Sequence, residues 1–277
     1  MAEFESIYFY DPSLAASILF TILYFVPTAF IFYEGVIPRS DRYRHVGFFI
    51  PLFIAGAAEV AGYALRCASV KLPTDIPLYA TSSSLVVIAP VFVCASLYLL
   101  IGRLVRAVIP TQGKQQNILG ISPRWLPRAF ITSDICSFLT QASGSGVAAS
   151  GDWEGTSKEI GTNILIAGLA LQLLTFSVFM TIVIIFHRRA NRLGTGVDDG
   201  VRQLLKGIYI AGVFILLRCI YRLIEFALGI DGYPFRSEWM LYVLEASPML
   251  FALGALAFYH PGKWLPTDAK PEAINSA

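Results

Sequence analysis

Arg218, Arg222 and Glu225 fall inside an apolar segment long enough to cross a bilayer, in the run Leu216-Leu217-Arg218-Cys219-Ile220-Tyr221-Arg222-Leu223-Ile224-Glu225. Spaced four and three apart, they share one face of a helix with 3.6 residues per turn. A charge near the bilayer centre costs about 2.5–3.5 kcal/mol on insertion scales, so such side chains face a polar interior and take partners. Three on one face can hold an ionic head group, the guanidiniums gripping a phosphate or carboxylate, or the acid an amine. They also read as a packing ion pair, Arg222 with Glu225, which leaves Arg218 without an acid of its own.

Such a face needs an apolar bundle around it, and the composition supplies one. Of 277 residues, 56% are hydrophobic and 14% charged, and the mean hydropathy is +0.63. Soluble domains carry about 25% charged residues, so the chain belongs with integral membrane proteins. A net charge of +2 gives no footing for nucleic acid. Seven apolar segments stand at about 13–35, 46–66, 77–101, 128–150, 160–186, 206–228 and 238–259, each close to the roughly 17–25 residues a spanning helix needs. The fourth is the most polar, with Asp134, Gln141, Gly144 and Gly146. Its small residues permit close helix packing.

The fold expected is an all-α integral membrane protein, seven transmembrane helices in one bundle. Its domain reading is an extracytosolic N-terminus (1–12), a transmembrane domain (13–260) and a short cytosolic tail (261–277). With seven spans, one side collects Arg39, Arg42, Arg44, Arg103, Arg106, Lys114, Arg124, Arg128, Arg188, Arg189, Arg192, Arg202, Lys206, Lys263 and Lys270. The other side collects only Arg66, Lys71, Lys158 and Arg236. That asymmetry puts the N-terminus outside and the C-terminus in the cytosol. Removing the fourth span would invert every later loop and spoil it. The first twelve residues hold Glu3, Glu5 and Asp11 but no Lys or Arg. They lack the positive start of a cleaved signal peptide, so the first apolar segment is expected to stay as a helix. Cys67, Cys94, Cys136 and Cys219 give no disulfide framework.

This topology sets depths. Glu59, Tyr63 and Arg66 share a face in the outer half of the second span. Arg218 lies near the middle of the sixth with Arg222 and Glu225 above it, and Glu245 falls in the outer third of the seventh. Glu59, Glu225 and Glu245 then balance Arg66, Arg218 and Arg222, as a buried network should. Two readings follow: a polar cavity that binds an amphipathic ligand by its ionic head, or a salt-bridge network that fixes the bundle. A deeper track holds Asp134, Ser137 and Gln141 on one face of the fourth span, with Gln172 on the fifth and Gly168 one turn before it. If the tracks meet they form a polar route; otherwise Asp134 is a local hydrogen-bonding group.

Other chemistries find little support. His45, His187 and His260 lie at cytosolic span ends and no two stand at i, i+4, so neither a metal nor a cofactor is expected. There is no Gly-rich phosphate loop, GxSxG or HExxH. The seventh span has no lysine for a retinal Schiff base. Without Asp-Arg-Tyr or Asn-Pro-x-x-Tyr, a G-protein-coupled receptor is not indicated. Pro90 and Pro248 predict kinks in the third and seventh spans.

A set of short motifs along nearly the whole chain resembles the fungal RTA-like family of lipid-translocating exporters, known for resistance to aminosterols and sphingoid bases. They are Glu59-x-x-Gly62-Tyr63-x-x-Arg66, Ala89-Pro90 with Ala95 and Tyr98, Asp134 with Gln141 and Gly144, Gly168-x-x-x-Gln172, Arg218-x-x-Tyr221-Arg222-x-x-Glu225, Glu245, and His260-Pro261-Gly262. The resemblance implies a heptahelical protein of the plasma membrane or an endomembrane that moves, or protects against, amphipathic lipids. It adds Tyr221 to the candidate ligand residues Glu59, Tyr63, Arg66, Asp134, Gln141, Gln172, Arg218, Arg222, Glu225 and Glu245. One relative is associated with porphyrin movement.

Two functions stay open. One is a translocator or binder of a sphingoid base, sterol or related amphipath, with no ATP motif to drive it. The other is a membrane-embedded cyclase, isomerase or hydrolase using Asp134, Glu59, Glu225 or Glu245 as acid or base. Asp134, far from any arginine within the spans, is the better proton donor of the four. A receptor for a lipid signal is a third possibility.

Overall fold

A computed structural model describes Tyr8 and residues 10–36, 46–108, 125–150, 155–192, 199–229 and 232–259. His45, His260 and the basic residues Arg39, Arg42, Arg44, Lys114, Arg124, Lys263 and Lys270 lie outside the described residues.

Every long element is an α-helix, as a lipid-embedded chain requires, because each backbone N–H and C=O must be satisfied within its own segment. They are α1 (Leu14–Val36), α2 (Val46–Lys71), α3 (Ile76–Val108), α4 (Leu126–Ser150), α5 (Gly155–Arg192) and α6 (Asp199–Ala227). Two short helices, α7 (Tyr233–Arg236) and α8 (Glu238–Met240), lead through a π-helical segment, Leu241–Ala246, into α9 (Ser247–Phe258). Capping follows the sequence. Ser13 accepts the N–H of Ala16 at the start of α1, Asp75 accepts that of Leu78 at the start of α3, and Gly229, with φ +75°, stops α6.

Among the described residues six helices are long and apolar enough to cross a membrane, namely α1, α2, α3, α5, α6 and the composite Glu238–Phe258. Helices of this length and apolarity make the chain an integral membrane protein. α4 is too polar to join them by composition, but its 25 residues give a length of about 37 Å at 1.5 Å per residue. Asp134, Ser137, Gln141 and Gly144 all point into the bundle, whereas Ile135 and Leu139 point out. From α1 to α6 each helix packs on the next in sequence, and α9 returns to both α1 and α6, closing the bundle.

Helices extend beyond the apolar segments read from sequence. α3, α5 and α6 carry Arg103, Arg188, Arg189 and Arg202 on their extensions. The predicted kinks take another form. α3 runs unbroken through Pro90, and in the last span the irregularity is the π turn just before Pro248. Pro248 has no N–H and its ring crowds the carbonyl four residues back, which favours a wider turn upstream. The Tyr242 carbonyl is taken by the N–H and the hydroxyl of Ser247.

Candidate functional site

The cluster at the heart of the bundle starts from α6. Arg218 Nη2 lies 2.9 Å from Glu245 Oε1, on the π turn. Arg222 Nη1 lies 3.0 Å from Glu225 Oε2 and 3.6 Å from Glu245 Oε2. Tyr221 donates to Glu225 at 3.3 Å, and the Arg222 guanidinium covers the Phe226 ring at 4.8 Å. Arg218 also donates to the backbone carbonyl of Val86 on α3, 3.3 Å away. Both arginines are thus engaged by acids, and the π turn turns Glu245 inward to meet them.

Glu59 of α2 faces Arg218 and Glu245 across this cluster. It is 2% exposed, and neither carboxylate oxygen has a hydrogen-bond partner. The hydroxyl of Tyr63, one turn further along α2, is equally buried and unpartnered, as is Nε of Arg218. Tyr63 stacks on Tyr24 at 5.4 Å, and Tyr24 donates to the Ala246 carbonyl at 2.7 Å.

Arg66 does not join Glu59. Its guanidinium meets the Tyr10 hydroxyl at 2.7 Å, the Tyr242 hydroxyl at 3.4 Å and Glu238 at 3.7 Å, and lies against the rings of Tyr8 and Tyr242. Glu238 also accepts the N–H of Ser13 with both oxygens at 2.9 Å, tying the start of α1 to the start of the last span. Burial pushes the Tyr10 hydroxyl up to about 12 against the pull of Arg66. Arg66 therefore closes one end of the bundle. With Glu238 as its acid, the sequence-level balance of three acids against three arginines becomes three acids against two in the inner cluster.

The deeper track runs through α3, α4 and α5. Asp134 Oδ2 accepts from Tyr98 at 2.8 Å, while Oδ1 is buried and unpartnered. Gln141 donates to Gln172 Oε1 at 3.0 Å. A Cβ on Gly168 would stand 2.8 Å from Gln141 Cγ, so glycine there lets the amides meet. Cys94 and Cys219 each feel both Asp134 and Arg218, so the two tracks approach one another near these thiols. His187 Nδ1 sits 3.1 Å from the Tyr209 hydroxyl. Among the described residues no three His, Cys, Asp or Glu side chains gather as metal ligands.

Tyr10, Tyr24, Tyr98, Glu238 and Tyr242 contribute to these clusters without having been singled out as site residues from sequence. Of these, Tyr98 stands in one of the family motifs, and Glu238 and Tyr242, one helical turn apart, precede Glu245 on the same span. Away from the charges, a groove of about 500 Å³ between α1 and α9 is lined by Val26, Pro27, Phe30, Phe251, Gly254 and Phe258, among others.

Residues 52–268 match the family described as RTA1 like protein. The chain belongs to that family. The matched stretch of this RTA1-like chain spans Glu59 to Glu245 and leaves out α1. Protoporphyrin uptake protein 1 of Saccharomyces cerevisiae is 27% identical over 283 residues, covering 91% of this chain and 90% of that protein. Protein RTM1 of Saccharomyces cerevisiae is 32% identical over 211 residues, 74% of this chain and 64% of that protein. The sphingoid long-chain base transporter RSB1 of Saccharomyces cerevisiae is 28% identical over 254 residues, 79% of this chain and 65% of that protein. No solved structure matches.

Proposed function

We propose that this RTA1-like protein translocates amphipathic, lipid-like molecules across its membrane, handling the ionic head group at the Glu59–Arg218–Glu245 cluster. The observation that carries this reading is a set of five ionisable side chains drawn from three helices within membrane-spanning segments, Glu59, Arg218, Glu225 and Glu245 buried and Arg222 partly so. Charges in that position are expensive and mark substrate or ion pathways. Names among the relatives, a sphingoid long-chain base transporter and a protoporphyrin uptake protein, add support. In this reading α4 is a seventh span, the N-terminus is outside and the C-terminus cytosolic. A cavity opens at the cluster during the cycle. Tyr63 and Tyr221 line it, Arg66 closes its outer end, and Asp134, Gln141 and Gln172 line the route beyond.

A second reading, a membrane-embedded acid catalyst acting on a lipophilic metabolite, draws on Asp134, whose free oxygen lies away from the arginines. One experiment separates the two. Purified protein in liposomes is given labelled sphingoid bases and sterols, and both leaflet distribution and mass are followed. Lipid that crosses unchanged, with crossing lost in Arg218→Ala and Glu225→Gln, supports the translocator. A product of altered mass overturns it.

A further inference from the structure

In the inner cluster the cations are taken and an acid is left over. Arg218 holds Glu245 at 2.9 Å, and Arg222 holds Glu225 at 3.0 Å and Glu245 at 3.6 Å. Arg66, the remaining arginine of this half, is spent on Glu238, Tyr10 and Tyr242. Glu59 alone has no donor on either oxygen, although it is 2% exposed. A fully buried carboxylate with no hydrogen bond and no cation of its own is far more stable neutral than charged. The groups facing it are Tyr24 from α1, Tyr63 from α2, Arg218 from α6 and Glu245 from the π turn. α3 places no charged residue between Ile76 and Gly102. Of these only Arg218 is cationic, and it is already paired to Glu245.

We infer that Glu59 carries a dissociable proton and exchanges it for the cationic head group of the translocated amphipath. This rests on the translocator reading above and supplies its coupling. The exchange balances. As an ammonium enters, the carboxylic O–H bond breaks, the proton leaves for water, and a carboxylate–ammonium pair remains, one positive charge in and one out. When the ammonium departs, a proton returns from the other side and Glu59 is neutral again. An anionic head group gains less, because the one open guanidinium donor, Arg218 Nε, would bring it into a cluster that already holds three acids against two arginines. The spare group in the cluster is an acid, so the site favours a cation.

The test uses the full-length protein in liposomes with a pH dye trapped inside. The probe is a labelled single-chain quaternary ammonium amphipath, which has no neutral form to leak through the bilayer, with sulfonate and uncharged analogues of the same chain alongside. The expected result is inward passage of the quaternary ammonium accompanied by alkalinisation of the lumen, about one proton per amphipath. Glu59→Gln, which copies the shape of the neutral acid, should keep its melting temperature and lose both signals at least tenfold. Independently, the infrared carbonyl band of a protonated carboxylic acid should be present in the wild type, lose intensity to a carboxylate band when the probe is added, and show no such loss in Glu59→Gln. Passage of the ammonium with no proton movement, equal passage of the sulfonate, or unchanged coupling in Glu59→Gln overturns the inference and leaves translocation standing. Failure of all three analogues and of the sphingoid bases and sterols to cross overturns the translocator reading, and the inference with it. Because wild-type proton counterflow is itself measured, the inference stays testable even if the variant does not fold.

Discussion

Arg218 donates to the carbonyl of Val86, and that carbonyl is open because Pro90, four residues further along α3, has no N–H to return to it. A helix-breaking residue in one span thus creates an acceptor for a buried charge in another. In a bilayer a freed carbonyl must find a donor from its surroundings, and here the donor is the arginine that also holds Glu245.

Pro90→Ala should therefore have two opposing effects. It restores the intrahelical bond, a change that favours an exposed helix interior by about 3 kcal/mol, and it makes Val86 a poorer partner for Arg218. The expected outcome is coupling of about 1 kcal/mol between Pro90→Ala and Arg218→Ala in a double-mutant cycle, within the range of about 0.5–3 kcal/mol for residues in one network. Unfolding in detergent micelles measures it. Strictly additive effects would show that the two sites do not communicate.

Removing Arg218 alone leaves Glu245 with only the longer contact to Arg222. Breaking a buried ion pair costs about 3–5 kcal/mol, whereas replacing both partners by apolar groups is often neutral. Arg218→Ala should fall near the lower end of that range, since Arg222 stays 3.6 Å from Glu245. The double variant Arg218→Met, Glu245→Met should regain most of the loss. A double variant as unstable as the sum of the singles would mean that the pair is not the unit of stability.

The α4–α5 contact depends on glycine. A Cβ on Gly144 would lie 2.6 Å from the Gly161 carbonyl oxygen and the Leu165 nitrogen, and one on Gly161 would lie 2.5 Å from the Gly144 carbonyl oxygen. These are backbone atoms that cannot swing aside, so Gly144→Val or Gly161→Val should separate the helices and lower the melting temperature sharply. Gly146, two residues away, has nothing near it. Gly146→Ala should be neutral or stabilising by up to about 1 kcal/mol, the usual gain for Gly to Ala inside a helix. Similar melting temperatures for Gly144→Val and Gly146→Ala would remove the close packing argument.

Much of this site was readable because helical periodicity is a local property. Asp134, Ser137 and Gln141 fell on one face by spacing alone, and all three are buried. Arg218, Arg222 and Glu225 grouped in the same way. What spacing cannot provide is the partner on another helix. Arg66 was grouped with Glu59 because they share a face, yet its acid is Glu238, 172 residues on, at the first residue of the last span. Pro248 signalled an irregular last span, but the resulting wide turn, and with it the inward aim of Glu245, depends on how the carbonyls upstream of it are satisfied.

Gln172 offers a test of whether the deeper track is structural or part of a route. An interhelical hydrogen bond in a membrane averages about 0.6 kcal/mol, so Gln172→Leu should change stability by no more than about that. If the amides line the path of a head group, the same substitution should cut translocation severalfold at nearly unchanged melting temperature. Intact translocation would leave Gln141 and Gln172 as packing residues only.

The span count turns on α4, the helix whose buried face carries Asp134 and whose composition is the most polar of the long helices. Trp125 and Ser150 stand near its two ends and both are exposed. In a cysteine-free background, Trp125→Cys should react with a membrane-impermeant maleimide only after the cytosolic side is opened. Ser150→Cys should react from outside on intact cells. A six-span arrangement that left α4 on one side would label both positions from the same face. That result would also reverse α5, α6 and the last span relative to α1–α3. Yet the contacts of Arg66 with Glu238 and of Tyr8 with Ser69 hold the start of α1, the end of α2 and the start of the last span at one end of the bundle. Opposite-side labelling of the two cysteines is therefore the expected outcome.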